Sequence, residues 1–177
     1  EIDAMGAVLT GTDLDTEIST KMELLEVGSG GAVTVPAKKL VDIAKALPEG
    51  AIVQFKVDGS QMLLSSGRSR FKLGTLGAEE YPRLEIRGEM TTVVVAKTPL
   101  HDSIAKTQFA MAQQDVRYYL NGMLFSIGGG VFMTVATDGH RLSLYQVALD
   151  SGAVEPVALI VPRKAVLELV RLLGGAN

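Results

Sequence analysis

Residues 35–47 read VPAKKLVDIAKAL, and residues 161–173 read VPRKAVLELVRLL. Of the 13 aligned pairs, four are identical, seven keep the chemical class, and only Ala37/Arg163 and Lys39/Ala165 differ. Apolar residues recur with the spacing of an amphipathic helix in both copies, and each copy carries a proline where the first turn of a helix tolerates one. The two segments therefore predict the same helix written twice, 126 residues apart.

A second pair of matching segments lies upstream of these helices. Residues 8–13 read VLTGTD and residues 133–138 read MTVATD, at an offset of 125 residues, and both end in Thr-Asp. Two pairs with nearly equal offsets predict tandem α+β domains of about 125 residues each. In this frame the chain begins inside one copy and stops inside the next, which favours a fragment of a longer array. A single domain with arbitrary ends is the alternative.

Alternation of apolar and polar residues predicts strands over much of the chain. They cover residues 14–24, 52–57, 62–65, 70–76, 91–96, 123–127, 131–137 and 141–147, and glycine-containing turns separate several of them. Helical spacing follows Pro36, Pro99 and Pro162, with Thr98 as the expected N-cap of the middle helix. The pattern predicts an α+β fold rich in hairpins.

Composition narrows the chemistry that the chain can perform. Its 177 residues include no cysteine, which excludes disulfides, thiolate zinc sites and cysteine nucleophiles. Only His101 and His140 could supply imidazole, too few for an imidazole-rich metal site. No apolar run approaches the ~20 residues of a membrane helix, and no signal peptide is visible, so no membrane partner is expected.

The charge distribution argues for binding through a selected face. The formal net charge of −3 disfavours a protein that binds nucleic acid with its whole surface. Residues 1–35 hold seven acids against one base, whereas residues 36–87 hold nine bases against six acids. Residues 88–177 hold seven of each.

The acidic residues and histidines form no catalytic constellation. Asp13, Asp15 and Glu17 could hold Mg²⁺, but an acidic, solvated strand edge is the favoured interpretation. His140 follows Asp138 without a serine or cysteine nucleophile in a recognisable setting. The sequence predicts no catalytic residue, no metal and no cofactor, and a hydrolase built on this pair is a distant alternative.

Two polar stretches differ from plain scaffold. Residues 113–122 read QQDVRYYLNG, and their tyrosines, arginine and amides are side chains that contact phosphates and exposed bases. A half-buried strand with one tyrosine packed inward is the equal alternative. Residues 137–142 read TDGHRL, in which a turn at Gly139 would present Arg141 and Leu142 side by side. A plain hairpin is the alternative there.

These segments together resemble one protein family. The resemblance rests on seven stretches in the family's order: LTGTDL at 9–14, VTVPAKK at 33–39, LPEG at 47–50, SGRSRF at 66–71, QDVRYYLNGMLF at 114–125, VATDGHRL at 135–142 and IVPRK at 160–164. Any one stretch alone would be weak, but the set is specific. The chain resembles the bacterial sliding clamps, the beta subunits of DNA polymerase III.

The resemblance implies a DNA-clamp fold of tandem similar domains, with antiparallel sheets outside and helices facing the DNA. It places the first domain at residues 1–87, without its opening strand and helix, and the second at residues 88–177, without its closing strands. The third domain would be absent. The implied function is not enzymatic: two subunits close into a ring that slides on duplex DNA and makes polymerases processive. A polyanion-binding or peptide-binding adaptor that forms no ring is the alternative.

The resemblance also implies three functional surfaces. DNA, as duplex or primer–template junction, would contact Gln114, Arg117, Tyr118 and Tyr119, with Lys38, Arg163 and Lys164 contributing charge. Short linear peptides of polymerases and clamp-loader subunits would bind a pocket walled by Leu120, Thr137, Gly139, His140, Arg141 and Leu142. Phe71 and Leu73 would lie on the edge strand that pairs with the second subunit of a homodimer. A cytoplasmic, nucleoid-associated protein is expected.

Overall fold

A computed structural model describes residues 1–3, 5–84, 90, 92–149 and 155–175 of the chain. The chain divides into two compact units, Glu1–Ile86 and Arg87–Asn177. Among the described residues, no helix combines the length and the apolar character that crossing a membrane requires.

The described part of the first unit is mostly antiparallel β-structure. Its strands are β1 (Ile2–Asp3), β2 (Gly6–Thr12), β3 (Glu17–Met22), β4 (Val33–Thr34), β5 (Gln54–Asp58), β6 (Gln61–Ser66), β7 (Ser69–Gly74) and β8 (Leu76–Gly77). They form sheets in the order β1-β2-β3, β4-β8 and β5-β6-β7. Helix α1 (Ala37–Ala46) follows β4, and a single 3-10 turn (Ala78–Glu80) follows β8.

The core of the first unit forms on one face of the β6–β7 hairpin. Met62 lies directly opposite Leu73, and Leu64 lies opposite Phe71. Met62, Leu64 and Leu73 are buried, whereas Phe71 is half-buried. Side chains alternate between the two faces of a strand, so Arg70 and Lys72 are exposed on the other face of β7.

The second unit is a four-stranded antiparallel sheet with two helices. Helix α2 (Lys97–Ala105) comes first and is followed by a 3-10 turn (Gln108–Ala110), then by a second 3-10 turn (Tyr118–Leu120). The strands β9 (Gly122–Gly128), β10 (Val131–Thr137), β11 (Leu142–Ala148) and β12 (Val157–Pro162) form a sheet in the order β11-β10-β9-β12. Helix α3 (Arg163–Gly174) begins where β12 ends.

Both helices of the second unit contribute to one hydrophobic core. Ile104 from α2 and Val166 from α3 meet Met123 of β9 and Ala136 of β10, and all four are almost fully buried. Half-buried apolar residues such as Leu169 pack around them. The α+β class and the antiparallel sheets predicted from the sequence are thus confirmed.

A buried polar contact fixes the end of α2 to the sheet. The carbonyl oxygen of Ser103 accepts hydrogen bonds from the hydroxyls of Thr107 (2.7 Å) and Thr134 (3.0 Å). All three residues are fully buried. The last carbonyls of a helix have no intrahelical donor, so these two hydroxyls supply what the backbone does not.

Three expectations about local structure are wrong. Residues 92–96 form no strand, and Val94 is 81% exposed, because alternation makes a strand only where a neighbour pairs with it; residue 91 lies outside the described residues. Helix α2 begins at Lys97 with Ala96 as its N-cap, so Thr98 and Pro99 lie inside the first turn. The strand predicted at 14–24 is shorter, since residues 13–16 form a turn before β3.

That turn is repeated at the atomic level in the second unit. Asp13 Oδ1 accepts hydrogen bonds from the backbone N–H groups of residues 15 and 16, and Asp138 Oδ1 accepts them from residues 140 and 141. The preceding threonine hydroxyl donates to the carbonyl of residue 16 in one turn and of residue 141 in the other. Leu14 (φ 78°) and Gly139 (φ 88°) occupy the same position with positive φ. The Thr-Asp match in the sequence therefore marks an equivalent turn.

Candidate DNA and peptide interface

The loop at residues 113–121 is closed by one asparagine. The side-chain amide of Asn121 donates to the carbonyl oxygen of Asp115 (2.8 Å) and accepts from its backbone N–H (2.9 Å). The backbone N–H of Ala112 donates to the carbonyl of Leu120 (3.0 Å), whose side chain is buried. These bonds fix the loop backbone on the core, so its outward side chains start from defined positions.

The two tyrosines of the loop lie at the surface. Tyr118 is 83% exposed and Tyr119 is 50% exposed, within a 3-10 turn and not a strand. Their ring centroids are 5.8 Å apart and the rings are nearly perpendicular. The alternative of a half-buried strand with one tyrosine packed inward is therefore wrong. Exposed aromatic faces next to an arginine are suited to stacking on bases.

Asp115 holds the guanidinium of Arg117 with two hydrogen bonds. Arg117 Nε donates to Oδ1 (2.9 Å), Nη2 donates to Oδ2 (2.9 Å), and the backbone N–H of Arg117 also donates to Oδ1 (2.8 Å). The Arg117 side chain, with a smaller contribution from its backbone N–H, lowers the pKa of Asp115 from 3.8 to about 2. The carboxylate stays ionised at neutral pH, and the arginine is held in one orientation.

The turn at residues 137–142 is held by Asp138. Its Oδ1 accepts the backbone N–H groups of His140 and Arg141, and these bonds lower the pKa of the Asp138 carboxyl. Its Oδ2 lies 2.9 Å from Nε of Arg141, and the Arg141 guanidinium also lies 5.5 Å from the centre of the Phe109 ring. The turn joins β10 and β11 as a hairpin, which is the alternative that the sequence left open, and His140, Arg141 and the 64%-exposed Leu142 are all exposed on it.

The loop and the turn contact each other through Arg117. A Cβ atom added to Gly139 would lie 3.2 Å from Nη2 and 3.4 Å from Nη1 of Arg117. The guanidinium therefore rests against the α-carbon of Gly139. His140 also lowers the pKa of Asp115 electrostatically, although its effect is smaller than that of Arg117. The structure thus joins two groups of residues that the sequence predicted separately.

The remaining predicted DNA residues lie in three places. Gln114 is exposed on the same loop. Arg163 begins α3, and its backbone N–H donates to the carbonyl of Asn121 (2.9 Å) while Nη1 donates to the carbonyl of Met111 (3.4 Å). Lys164 is exposed beside it. Lys38 is exposed on α1 of the first unit, so the second unit gathers every predicted DNA residue except this one.

The predicted subunit interface lies on β7, an edge strand of its sheet. Phe71 is half-buried and keeps part of its ring accessible, but Leu73 is only 4% exposed. The side chain of Leu73 therefore packs into the first unit, and a partner would contact this residue through its backbone on the edge strand. On the outer side of an edge strand, the backbone N–H and C=O groups have no neighbouring strand with which to pair.

Sequence reasoning missed the residues that organise this surface. The sequence pattern distinguishes neither Asp115 and Asn121 within the loop nor Phe109 before it. The spacing Asp-x-Arg is a weak signal because such pairs are common on loops. The contacts of Arg117 with Gly139 and of Arg141 with Phe109 join residues more than 20 positions apart, which no local pattern reveals.

Two family models match the chain over nearly all of its length. The DNA polymerase III beta subunit, N-terminal domain, matches residues 1–85, and the central domain of the same subunit matches residues 94–177. Each model covers one of the two compact units.

Curated relatives carry the name beta sliding clamp. The protein from Pseudomonas aeruginosa is 45% identical over 165 residues, which cover 93% of this chain and 45% of the relative. The protein from Escherichia coli K12 is 45% identical over 169 residues, covering 96% of this chain and 46% of the relative. The chain therefore spans about half the length of the curated relatives it matches.

Solved structures agree with this assignment. The DNA polymerase III subunit beta from Pseudomonas aeruginosa matches with a TM-score of 0.91 and 43% identity, over 97% of this chain and 47% of that one. The pol III beta of Caulobacter crescentus matches with a TM-score of 0.89 and 35% identity, over 99% of this chain and 48% of that one. The chain belongs to the family of bacterial DNA polymerase III beta subunits, the sliding clamps.

Proposed function

We propose that the chain is part of a non-catalytic clamp of the bacterial replicase, with residues 1–87 and 88–177 as its first two domains. The full clamp encircles duplex DNA, slides along it, and tethers polymerases and other replication and repair proteins. The observation that carries the proposal is the joined surface of the second unit, where Arg117 of the loop rests on Gly139 of the turn. This surface binds DNA through the loop and peptides through the turn.

The loop suits contacts that carry no sequence information. Arg117 has N–H groups beyond the two that Asp115 holds, and both tyrosine rings are exposed. We assign Arg117 to phosphate and the tyrosines to sugars or unpaired bases at primer–template junctions. Further contacts to the sugar–phosphate backbone of the DNA come from Gln114, Lys38, Arg163 and Lys164. A clamp that slides needs such contacts because base-specific ones would stop it.

The turn suits an apolar peptide side chain. Leu142 is 64% exposed beside Arg141, and Phe109 is 57% exposed under the same guanidinium. Buried Leu120 and the turn residues Thr137, Gly139 and His140 complete the part of the wall that lies in this chain. Linear peptides of polymerase and clamp-loader subunits would bind here through apolar anchors. A Pseudomonas aeruginosa relative has been solved bound to griselimycin, a ligand that this proposal would place at the same surface.

Strand β7 supplies the contact with a second subunit in a homodimeric ring. Its outer backbone groups would continue the sheet into the partner, with Phe71 packed across the junction and Leu73 supporting it from within. The exposed cations Arg70 and Lys72 flank this edge and oppose indiscriminate pairing. Because the ligand is chromosomal DNA, we place the protein in the cytoplasm, associated with the nucleoid.

Fluorescence anisotropy with labelled 24-base-pair duplexes of unrelated sequence tests the DNA assignment. We expect Arg117→Ala to weaken binding alike for every duplex and to reduce the slope of log K against log salt by about one unit. Arg83→Ala is the matched control, since Arg83 is also an exposed arginine bonded to an acid, Glu1 at 3.1 Å, and it lies outside the proposed DNA surface. Equal effects of the two substitutions would show that the loop is not a DNA contact.

Calorimetry with a peptide copied from the C-terminus of a bacterial replicative polymerase tests the peptide assignment. Leu142→Asp places a charge where an apolar anchor is expected and should abolish the heat of binding. Leu144→Asp is the control, because Leu144 is also half exposed on β11 but lies outside the predicted pocket. If both variants bind as the unaltered chain does, the turn is not the pocket wall.

A further inference from the structure

The hydrogen bonds of Arg117 leave one edge of its guanidinium available. The group carries five N–H donors, and Asp115 accepts one from Nε and one from Nη2. Among the described residues no acceptor takes the two Nη1 donors or the second Nη2 donor. Two of these three donors, one from Nη1 and one from Nη2, lie on the edge between the two nitrogens, which matches two phosphate oxygens in the bidentate geometry that arginine favours.

The backbone of Asp115 is held in place independently of Arg117. Both backbone polar groups of Asp115 are bonded to the side-chain amide of Asn121, at 2.9 Å and 2.8 Å. Asn121 in turn accepts the first backbone N–H of helix α3 through its carbonyl. The carboxylate therefore stands on a backbone tied to the domain core, and a carboxylate so placed can orient a flexible side chain.

The position of Gly139 is explained by Arg117 and not by the turn alone. The equivalent position of the first unit holds Leu14, with φ 78° and the same hydrogen bonds around it. The turn therefore accepts a side chain despite the positive φ. At Gly139, however, a Cβ would press on Nη1 and Nη2 of Arg117 at 3.2–3.4 Å. Glycine leaves the space in which the guanidinium rests.

We propose that Asp115 is a positioning residue of the DNA interface: it clamps the Arg117 guanidinium onto Gly139 and so presents the Nη1–Nη2 edge to a phosphate. The proposal rests on the function proposed above. It assigns a favourable role to an acid in a surface that binds a polyanion, where charge alone would make the acid unfavourable. It also makes the peptide-side turn the support on which the DNA-side arginine lies.

A positioning role for Asp115 and simple charge repulsion predict opposite changes in DNA affinity when Asp115 is neutralised. In Asp115→Asn, an amide nitrogen replaces one carboxylate oxygen and faces an N–H donor of Arg117, so the paired geometry is lost. Removal of a negative charge beside a phosphate site should by itself tighten DNA binding. Loss of the oriented arginine should instead weaken DNA binding by about three- to tenfold, the range of one ordinary hydrogen bond, because the arginine itself is retained.

Duplex binding by Asp115→Asn, measured by anisotropy over a range of salt concentrations, is the test. We expect weaker binding and a salt slope smaller by up to about 0.9, the value for one lost phosphate contact. Glu168→Gln is the matched control, because it neutralises an acid of the same unit that is also bonded to an arginine. This control should bind DNA as tightly as the unaltered chain or more tightly. Asp115→Asn binding that is equal or tighter would overturn the proposal.

A measurement without DNA separates this proposal from the function on which it rests. The Nε–H resonance of Arg117 should be sharp and slow to exchange in the unaltered chain, and it should broaden in Asp115→Asn and in Gly139→Ala. If the unaltered chain binds no duplex while this resonance behaves as expected, the proposed function fails and the clamped arginine stands. If the resonance is already averaged in the unaltered chain, Asp115 does not hold the arginine and the positioning role is refuted.

Discussion

The Ser103 carbonyl at the end of α2 allows an energetic test of the second unit. Thr107→Val and Thr134→Val each remove one of the two hydroxyls that donate to this oxygen, while keeping the shape of the side chain. All three groups are fully buried, so water cannot replace a lost donor without opening the core. The single variants and the double variant therefore differ in how many donors the carbonyl retains.

The expected magnitudes follow from that count. Each single variant loses its hydrogen bond to the carbonyl, worth about 1 kcal/mol, together with the long 3.3 Å contact between the two hydroxyls, while the carbonyl keeps its other donor. The double variant loses both bonds and also leaves the carbonyl without a donor, which costs about a further 1–3 kcal/mol. We expect about 1 kcal/mol for each single variant and about 3–5 kcal/mol for the double variant. The excess over the sum is the coupling between the two hydroxyls.

Amide hydrogen exchange of the most protected residues in β9 and β10 measures the free energy of opening the second unit separately from the first. Thr98→Val serves as the control, since Thr98 is exposed in the first turn of α2 and its replacement should change stability by less than about 0.5 kcal/mol. Strictly additive effects of the two buried threonines would refute the reasoning, because they would show that the second hydroxyl is not what keeps the carbonyl satisfied.

Three further outcomes follow from the loop and the edge strand. The Asp115 carboxyl should titrate near pH 2 by carbon-13 NMR, and Arg117→Ala should move this midpoint back towards 3.8. The stability that the ionised carboxylate contributes should therefore be complete above about pH 4 and be lost as the pH falls through 2. Tyr118→Ala should leave the fold unchanged but weaken binding to a primer–template junction by about 1–3 kcal/mol, more than binding to duplex, measured by anisotropy. Phe71→Lys should reduce self-association of the chain in analytical ultracentrifugation, and unchanged sedimentation would exclude β7 as the contact.

The sequence by itself determined the family, the fold class and the repeat. Periodicity located most strands and all three helices because side-chain alternation and helical spacing are local properties of the chain. The repeated Thr-Asp sequence indicates equivalent turns in the two units, because a turn of this kind depends on the side chains of a few adjacent residues. Local patterns failed at residues 92–96, where a strand required a neighbour that the described chain does not provide.

Only the tertiary structure decided how the candidate site is assembled. It placed both tyrosines at the surface, turned Leu73 inward, and set Arg117 of the loop on Gly139 of the turn. These outcomes depend on contacts between residues distant in sequence, and local periodicity and spacing carry no information about the energies of such contacts. The same turn holds Leu14 in the first unit and Gly139 in the second, where a side chain would have to displace the guanidinium of an arginine 22 residues earlier in the chain by a few tenths of an ångström.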